Sequence, residues 1–302
     1  MRRIMFVCLV FGVLGLRGTV HGEPVPVLVS IAPQKYFVER MGSDRVQVSV
    51  MVLPGSNPHA YEPKPRQMTE LSRAKLYVAS GMPFEEVWLP RFIRINPSLR
   101  VVHSDDWIRK RPMEAGHSHD EDGAGHTGRR HEHEEGTDPH TWLSPPRVML
   151  QARLLLDGLT EVDPDGILHY EGGYRRFITE LVELDLELRR TLGTMRGSRR
   201  FMVFHPSWGY FADTYGLIQM PIELEGKEPK PADLKRFIQE ARRLEIRTVF
   251  VQPQFSAKTA ETIAGALEGR VSVADPLAEN WAEALRGFAK ALADPGSAVN
   301  RP

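Results

Sequence analysis

The chain is poor in cysteine. Among its 302 residues there is one, Cys8, and it lies in an apolar run near the N-terminus. A disulfide framework and a thiolate metal site are thereby excluded from the rest of the chain. An excess of one charge is lacking too. Lys and Arg total 39, as do Asp and Glu, so nothing global points to nucleic acid or to an acidic disordered chain. No apolar stretch reaches membrane length. Residues 4–16 form an apolar run of 13, against the ~20 that a spanning helix needs. Arg2 and Arg3 precede it and small or short residues follow at Gly18, Thr19, Val20 and Gly22. That pattern fits a secretory signal over 1–22, with cleavage after Gly22 leaving an exported chain free of cysteine. Large apolar residues are missing from 114–138 as well, so this segment cannot build a core and is expected to be mobile.

What remains is 41% hydrophobic and 26% charged, an ordinary globular composition with room for two lobes. Four runs rich in β-branched residues, "PVLVSIA" (26–32), "VQVSVMVLP" (46–54), "KLYVASG" (75–81) and "LRVVHS" (99–104), predict strands. Four more follow: "RRFMVFHP" (199–206), "GLIQMPIE" (216–223), "IRTVFVQP" (246–253) and "RVSVADP" (270–276). Helical patterns alternate with them, at 65–74, 232–245 and 256–269, the last opening on Ser256 as N-cap. The alternation predicts an α/β fold with two parallel-sheet lobes. Between the two sets, Tyr174, Phe177, Ile178, Leu181, Leu184, Leu188 and Leu192 recur at helical spacing. They predict a long lobe-connecting helix, weakened near its start by Gly172 and Gly173. The expected division is an N-terminal lobe at 23–160, the linking helix at 161–196 and a C-terminal lobe at 197–302. No internal repeat aligns the halves.

Four residues stand out for chemistry. His59 lies past the second strand run, His205 follows "RFMVF", and Asp275 follows "RVSVA". His140 lies just before a helix expected to begin near Pro145 with Ser144 as its cap. Ligands in open α/β sheets bind at the carboxyl ends of the strands, so facing lobes would bring these residues to one cleft. Singly, each reads as an ordinary loop residue. Jointly they share a constraint: proline precedes His59 and His140 and follows His205 and Asp275, and proline stiffens the backbone that presents a ligand. Tyr61, Trp142, Trp208 and Tyr210 lie close in sequence and are expected to pack the cleft. The segment before His140 carries His117, His119, His126, His131 and His133 among acidic residues, with His103 upstream. It reads either as a solvated insert or as a low-affinity collector of metal, because ordering a loose segment on each binding event costs affinity.

In their order, "LPGSNPHAYEPKP", "DPHTWLSP", "FHPSWGYFADTYGL", "IELEGKEPKPADL", "VFVQPQFS" and "VADPL" make the sequence resemble the metal-binding solute-binding proteins of bacterial ABC transporters, near the zinc-type members. The resemblance covers nearly all of the chain after residue 22. It implies two α/β lobes on a rigid long helix with the metal between them. It also implies three nitrogen ligands, His59, His140 and His205, and a carboxylate position at Asp275, where water or Glu62, Glu223 or Glu225 are the substitutes. Manganese-type relatives carry Glu where this chain has His205, and several relatives carry an acidic residue where Asn57 stands. Three imidazoles and a carboxylate suit tetrahedral Zn2+. The implied partners are the ion and a membrane permease, with no nucleic acid, and the chain is expected to act in the periplasm as a monomer. The alternatives are a zinc hydrolase, for which the sequence offers no HExxH, and a manganese-binding protein or adhesin on the same scaffold.

Overall fold

The computed structural model describes residues 23–113, 136–223 and 229–294. The expected leader, the insert histidines His117, His119, His126, His131 and His133, and Glu225 lie outside the described residues.

Among the described residues eight short strands form two sheets. β1 (Val25–Val29), β2 (Val46–Val50), β3 (Leu76–Ala79) and β4 (Arg100–His103) make the first, in the order β2-β1-β3-β4. β5 (Arg200–Val203), β6 (Ile218–Pro221), β7 (Thr248–Val251) and β8 (Arg270–Val273) make the second, in the order β6-β5-β7-β8. Every strand pair is parallel. The expected α/β architecture is therefore present, and one strand order occurs twice although the sequence halves do not align. Parallel neighbours require crossover connections. In the first sheet these are α1 (Ala32–Gly42), α2 (Pro65–Leu71) and α3 (Pro83–Ile95). Next come α4 (Pro145–Val162) and α5 (Ile167–Gly193). The second sheet uses α6 (Gly209–Tyr215), α7 (Pro231–Arg243) and α8 (Lys258–Ala266), and α9 (Trp281–Ala293) follows.

The strands are shorter than the apolar runs that announce them. "VQVSVMVLP" keeps only Val46–Val50 as strand, because β1 gives way to α1 just beyond Val29. Met51 and Val52 still donate backbone hydrogen bonds to Val29 and Ser30, at 2.7 and 2.9 Å. Strands β3 and β7 are buried at every residue, as parallel strands covered on both faces must be.

Helix α5 is the expected long element: its 27 residues span about 40 Å. It is preceded by a 3-10 turn at Pro164–Gly166. Its buried stripe includes Tyr170, Phe177, Leu181, Leu184, Leu188 and Leu192, and it packs on α1, α4 and α9. One core runs from Phe37 and Phe177 through Trp281 to Phe288 and Phe201, so the first sheet, α5, α9 and one side of the second sheet share it. A separate core gathers Met202, Phe204, Phe237 and Ile263 under α7 and α8. Two helix caps differ from expectation in detail. Ser144 occupies the N-cap of α4, but its hydroxyl bonds Thr214 Oγ1 at 2.8 Å rather than the helix backbone. Ser256 stands one residue before the cap of α8, which is Ala257, and accepts from Lys258 N at 3.4 Å.

The two glycines that weaken α5 on propensity have unlike reasons to be there. A Cβ on Gly173 would meet the carbonyl oxygen of Met41 at 2.0 Å, so the helix crosses the end of α1 at backbone distance. A Cβ on Gly172 would meet nothing nearer than Arg176 Nη1 at 3.5 Å. Gly173→Ala is expected to cost about 1–3 kcal/mol through overpacking, whereas Gly172→Ala should stabilise by up to ~1 kcal/mol through helix propensity. Denaturant titrations of the two variants check the contrast; equal effects would contradict the close crossing.

Candidate metal centre

The second sheet builds its part of the centre by register alone. Val203, the last residue of β5, is paired with Pro221 of β6 and with Phe250 of β7. Two residues further along each strand lie His205, Glu223 and Gln252. His205 Nδ1 lies 2.7 Å from Glu223 Oε1, while Gln252 accepts from His205 N at 3.1 Å and donates to His205 O at 2.7 Å. His205 is thus fixed through its ring and both backbone polar groups. Phe255 stacks on the ring at 4.8 Å.

The other segments use one repeated local device. In Asn57-Pro58-His59, Asp138-Pro139-His140 and Asp275-Pro276-Leu277, the first side chain accepts a hydrogen bond from the backbone N–H two residues on, at 2.9 Å each time. Asx side chains close such turns readily, and proline between the partners removes a backbone freedom. In the second of these turns Asp138 Oδ1 also meets His140 Nδ1, at 2.8 Å.

These constraints bring three imidazoles together. The ring centroids of His59 and His140 are 5.4 Å apart, of His59 and His205 4.9 Å, and of His140 and His205 5.3 Å. One nitrogen from each falls within 4.8 Å of the others, and His59 Nε2 lies 3.1 Å from His205 Nε2. Two nitrogens at that separation, each about 2.05 Å from a zinc ion, would subtend about 100° at it, close to tetrahedral. The space beside the rings is about 10 Å³, bordered also by Asn57, Gln254, Phe255 and Leu277, which is room for one ion or water.

Electrostatics favour lone pairs over charge here. Burial, followed by the charges His140 and His205 would carry, pushes the His59 pKa down to about 2. Burial and then His205 drive His140 well below the ordinary value of 6.5. Neutral imidazole is the metal-binding form. A carboxylate on Nδ1 selects the tautomer that leaves Nε2 free, and such partners orient metal-binding histidines generally. Asp138 is 1% exposed, and burial raises its pKa to about 7 against the hydrogen bond from His140 N and the charge of Arg111. A cation beside His140 would favour its ionised form again.

Of the four residues singled out in the sequence, the structure brings three together. The Asp275 carboxylate stands outside the group of converging atoms; its Oδ1 is held by Leu277 N and by Gln254 Nε2 at 3.0 Å. Of its substitutes, Glu62 is exposed and Glu223 supports His205. Asp138 was not singled out, although its signal is the Asp-Pro-His spacing itself. The neighbouring aromatics Tyr61, Trp142, Trp208 and Tyr210 are buried, and two of them bond across the site: Trp142 Nε1 donates to Pro276 O at 2.7 Å, and Tyr210 Oη donates to Asp138 O at 3.0 Å. A second, more open group of His103, Asp105 and Asp106 also converges, with Asp105 paired to Lys110.

Comparison with known proteins agrees with this geometry. Residues 27–294 match the family model described as "Zinc-uptake complex component A periplasmic" (ZnuA). The high-affinity zinc uptake system protein ZnuA of Bacillus subtilis (strain 168) is 26% identical over 258 residues, covering 85% of this chain and 79% of that protein. The manganese-binding lipoprotein MntA of Halalkalibacterium halodurans is 26% identical over 245 residues, covering 80% and 75%. A crystal structure of a ZnuA superposes with a TM-score of 0.81 at 39% identity, covering 89% of this chain and 98% of that one. The chain belongs to the ZnuA family, the metal-binding periplasmic solute-binding proteins of zinc and manganese ABC transporters, which are carriers and not enzymes.

Proposed function

We propose that this chain captures Zn2+ in the periplasm through His59, His140 and His205 and delivers it to the permease of an ABC importer. The observation that carries the reading is the convergence of three imidazole nitrogens, with no carboxylate of the described residues among them. Imidazole suits zinc, and carboxylate-rich sets suit manganese. The fourth position is assigned to water or to Asp275, whose turn borders the same space. The leader at 1–22 would direct export, and the histidines at 117–133 would act as a weak collector beside the tight site.

Calorimetry tests the ligand assignment. One tight zinc equivalent is expected, with a rise in melting temperature because the ion binds only the folded chain. Asp138→Asn and Glu223→Gln should each weaken it about 10- to 100-fold while the protein stays folded. The insert has a closed base, since Met113 N donates to Gly136 O at 2.8 Å. Replacing 114–135 by an Asn-Gly turn should therefore remove weak equivalents and spare the tight one. Loss of the tight equivalent on that deletion would reverse the two roles.

Manganese is the competing cargo, because the MntA of Halalkalibacterium halodurans is as similar to this chain as the ZnuA of Bacillus subtilis is. His205→Glu should move the balance from zinc toward manganese in a competition titration. Unchanged competition would show that position 205 does not set the choice.

Acid offers a third test, on chelator-treated protein. The depressed values of His59 and His140 mean that the unfolded chain takes up more protons there once pH drops below 6.5. The raised Asp138 acts oppositely, since the folded chain keeps its proton between 3.8 and about 7. Two histidines against one aspartate leave a net excess of protons on the unfolded chain, so stability should fall by about 1 kcal/mol per pH unit from 6.5 to 5. A melting temperature that rises over that interval would show that the imidazoles are not held neutral.

A further inference from the structure

By position along the chain, His59 and His140 belong with the first sheet and His205 with the second. The hydrogen bonds divide them differently. The segment carrying His140 is stitched to the second half at point after point. Asp138 O accepts from Tyr210 Oη at 3.0 Å, and the first half's Arg111 reaches the same hydroxyl, its N donating at 3.1 Å. Trp142 Nε1 donates to Pro276 O at 2.7 Å, and Trp142 O accepts from Trp281 Nε1 at 2.9 Å. Ser144 bonds Thr214, and Arg147 bonds both Thr214 and Asp213. A Cβ on Gly209 would meet Asp138 Oδ2 at 2.8 Å, so the start of α6 lies against the carboxylate that orients His140. The same segment keeps ties to the first half, from Asp138 N to Arg111 O at 2.9 Å and from Gln151 Nε2 to Thr141 Oγ1 at 3.1 Å. It therefore sits where the halves join.

The His59 loop has no such stitching. Among the described residues, 54–64 makes its hydrogen bonds within the first half: Ser56 N to Leu53 O, His59 N to Asn57, Tyr61 Oη to Gln67, and Lys64 N to Gln67. Its one polar contact with the second half is the Nε2 pair with His205. Among the described residues no carboxylate meets the His59 ring, whereas Asp138 and Glu223 hold the other two.

We infer that the three ligands divide one against two, with His140 and His205 forming a fixed pair and His59 acting as the gate ligand whose departure begins metal release. The inference rests on the three-histidine reading above. Parting His140 from His205 would break the whole set of cross-ties, whereas parting His59 from them would give up its ring contacts with the pair and none of those hydrogen bonds. An ion left on two imidazoles is bound less tightly and is open on the side that His59 vacates.

Two measurements on the full chain test this, with zinc as the probe. In hydrogen–deuterium exchange, removing zinc with a chelator should speed exchange of residues 54–64 by about tenfold or more and leave 137–147 and 209–215 within about twofold. In stopped-flow capture by a chromogenic chelator, His59→Ala should retain zinc binding with a dissociation rate raised well above wild type. His140→Ala and His205→Ala should lose the tight site. Trp142→Phe with Tyr210→Phe keeps an aromatic ring at each position, cuts their side-chain cross-ties, and should spread zinc-dependent exchange into 137–147. The division is overturned if 137–147 opens on zinc removal while 54–64 does not, or if all three alanine variants lose zinc alike with melting temperatures unchanged. If no alanine variant alters zinc binding, the three-histidine site itself falls, and that outcome is distinct from the other two.

Discussion

Three imidazole rings whose centroids lie about 5 Å apart border one small space, and the structure around them follows from holding two of them, His59 and His140, neutral. Burial withdraws the water that would stabilise an imidazolium on either ring, and the neighbouring rings discourage charge there further. One divalent ion placed between the rings would satisfy a nitrogen of each at once. The two carboxylates would not compete for that ion. They sit behind His140 and His205, on Nδ1, where they settle which nitrogen faces inward.

The fold supplies this arrangement by using one plan twice. Two parallel sheets with the same strand order both send loops from their carboxyl ends toward the centre, and α5 and α9 lie against one another beside them. In the second sheet, register carries the positional information: one pairing places a ring, the carboxylate behind it and the amide that clamps its backbone on three adjacent strands. The first sheet works at longer range. His59 is nine residues past the end of β2, and a 3-10 turn at Pro58–Ala60 presents it.

Much of this was legible in the chain. All eight strands were, because β-branched runs bounded by turn residues carry a local signal, and so was the long helix, whose leucines keep a strict period. The three histidines stood out through their prolines. The partners of the rings were less visible. Glu223 is eighteen residues from His205 and reaches it only because β6 lies beside β5 in a particular register, which no local pattern encodes. The tie of His140 to the second half depends on Tyr210, Thr214 and Pro276, each remote in sequence and ordinary in type. Helix α3 carries Pro90 in its interior, a signal that normally argues against helix. The reason for Gly173 appears only when α1 is laid across α5.

The antiparallel bridge of Pro112 with Thr137 has a consequence for how such proteins diversify. Chain that leaves and rejoins the body at adjacent points imposes almost no constraint on what lies between. For a flexible loop, doubling the length costs only about 0.6 kcal/mol of closure entropy. Selection can therefore lengthen, shorten or rewrite the sequence between such a pair of closing residues while the three converging imidazoles keep their places.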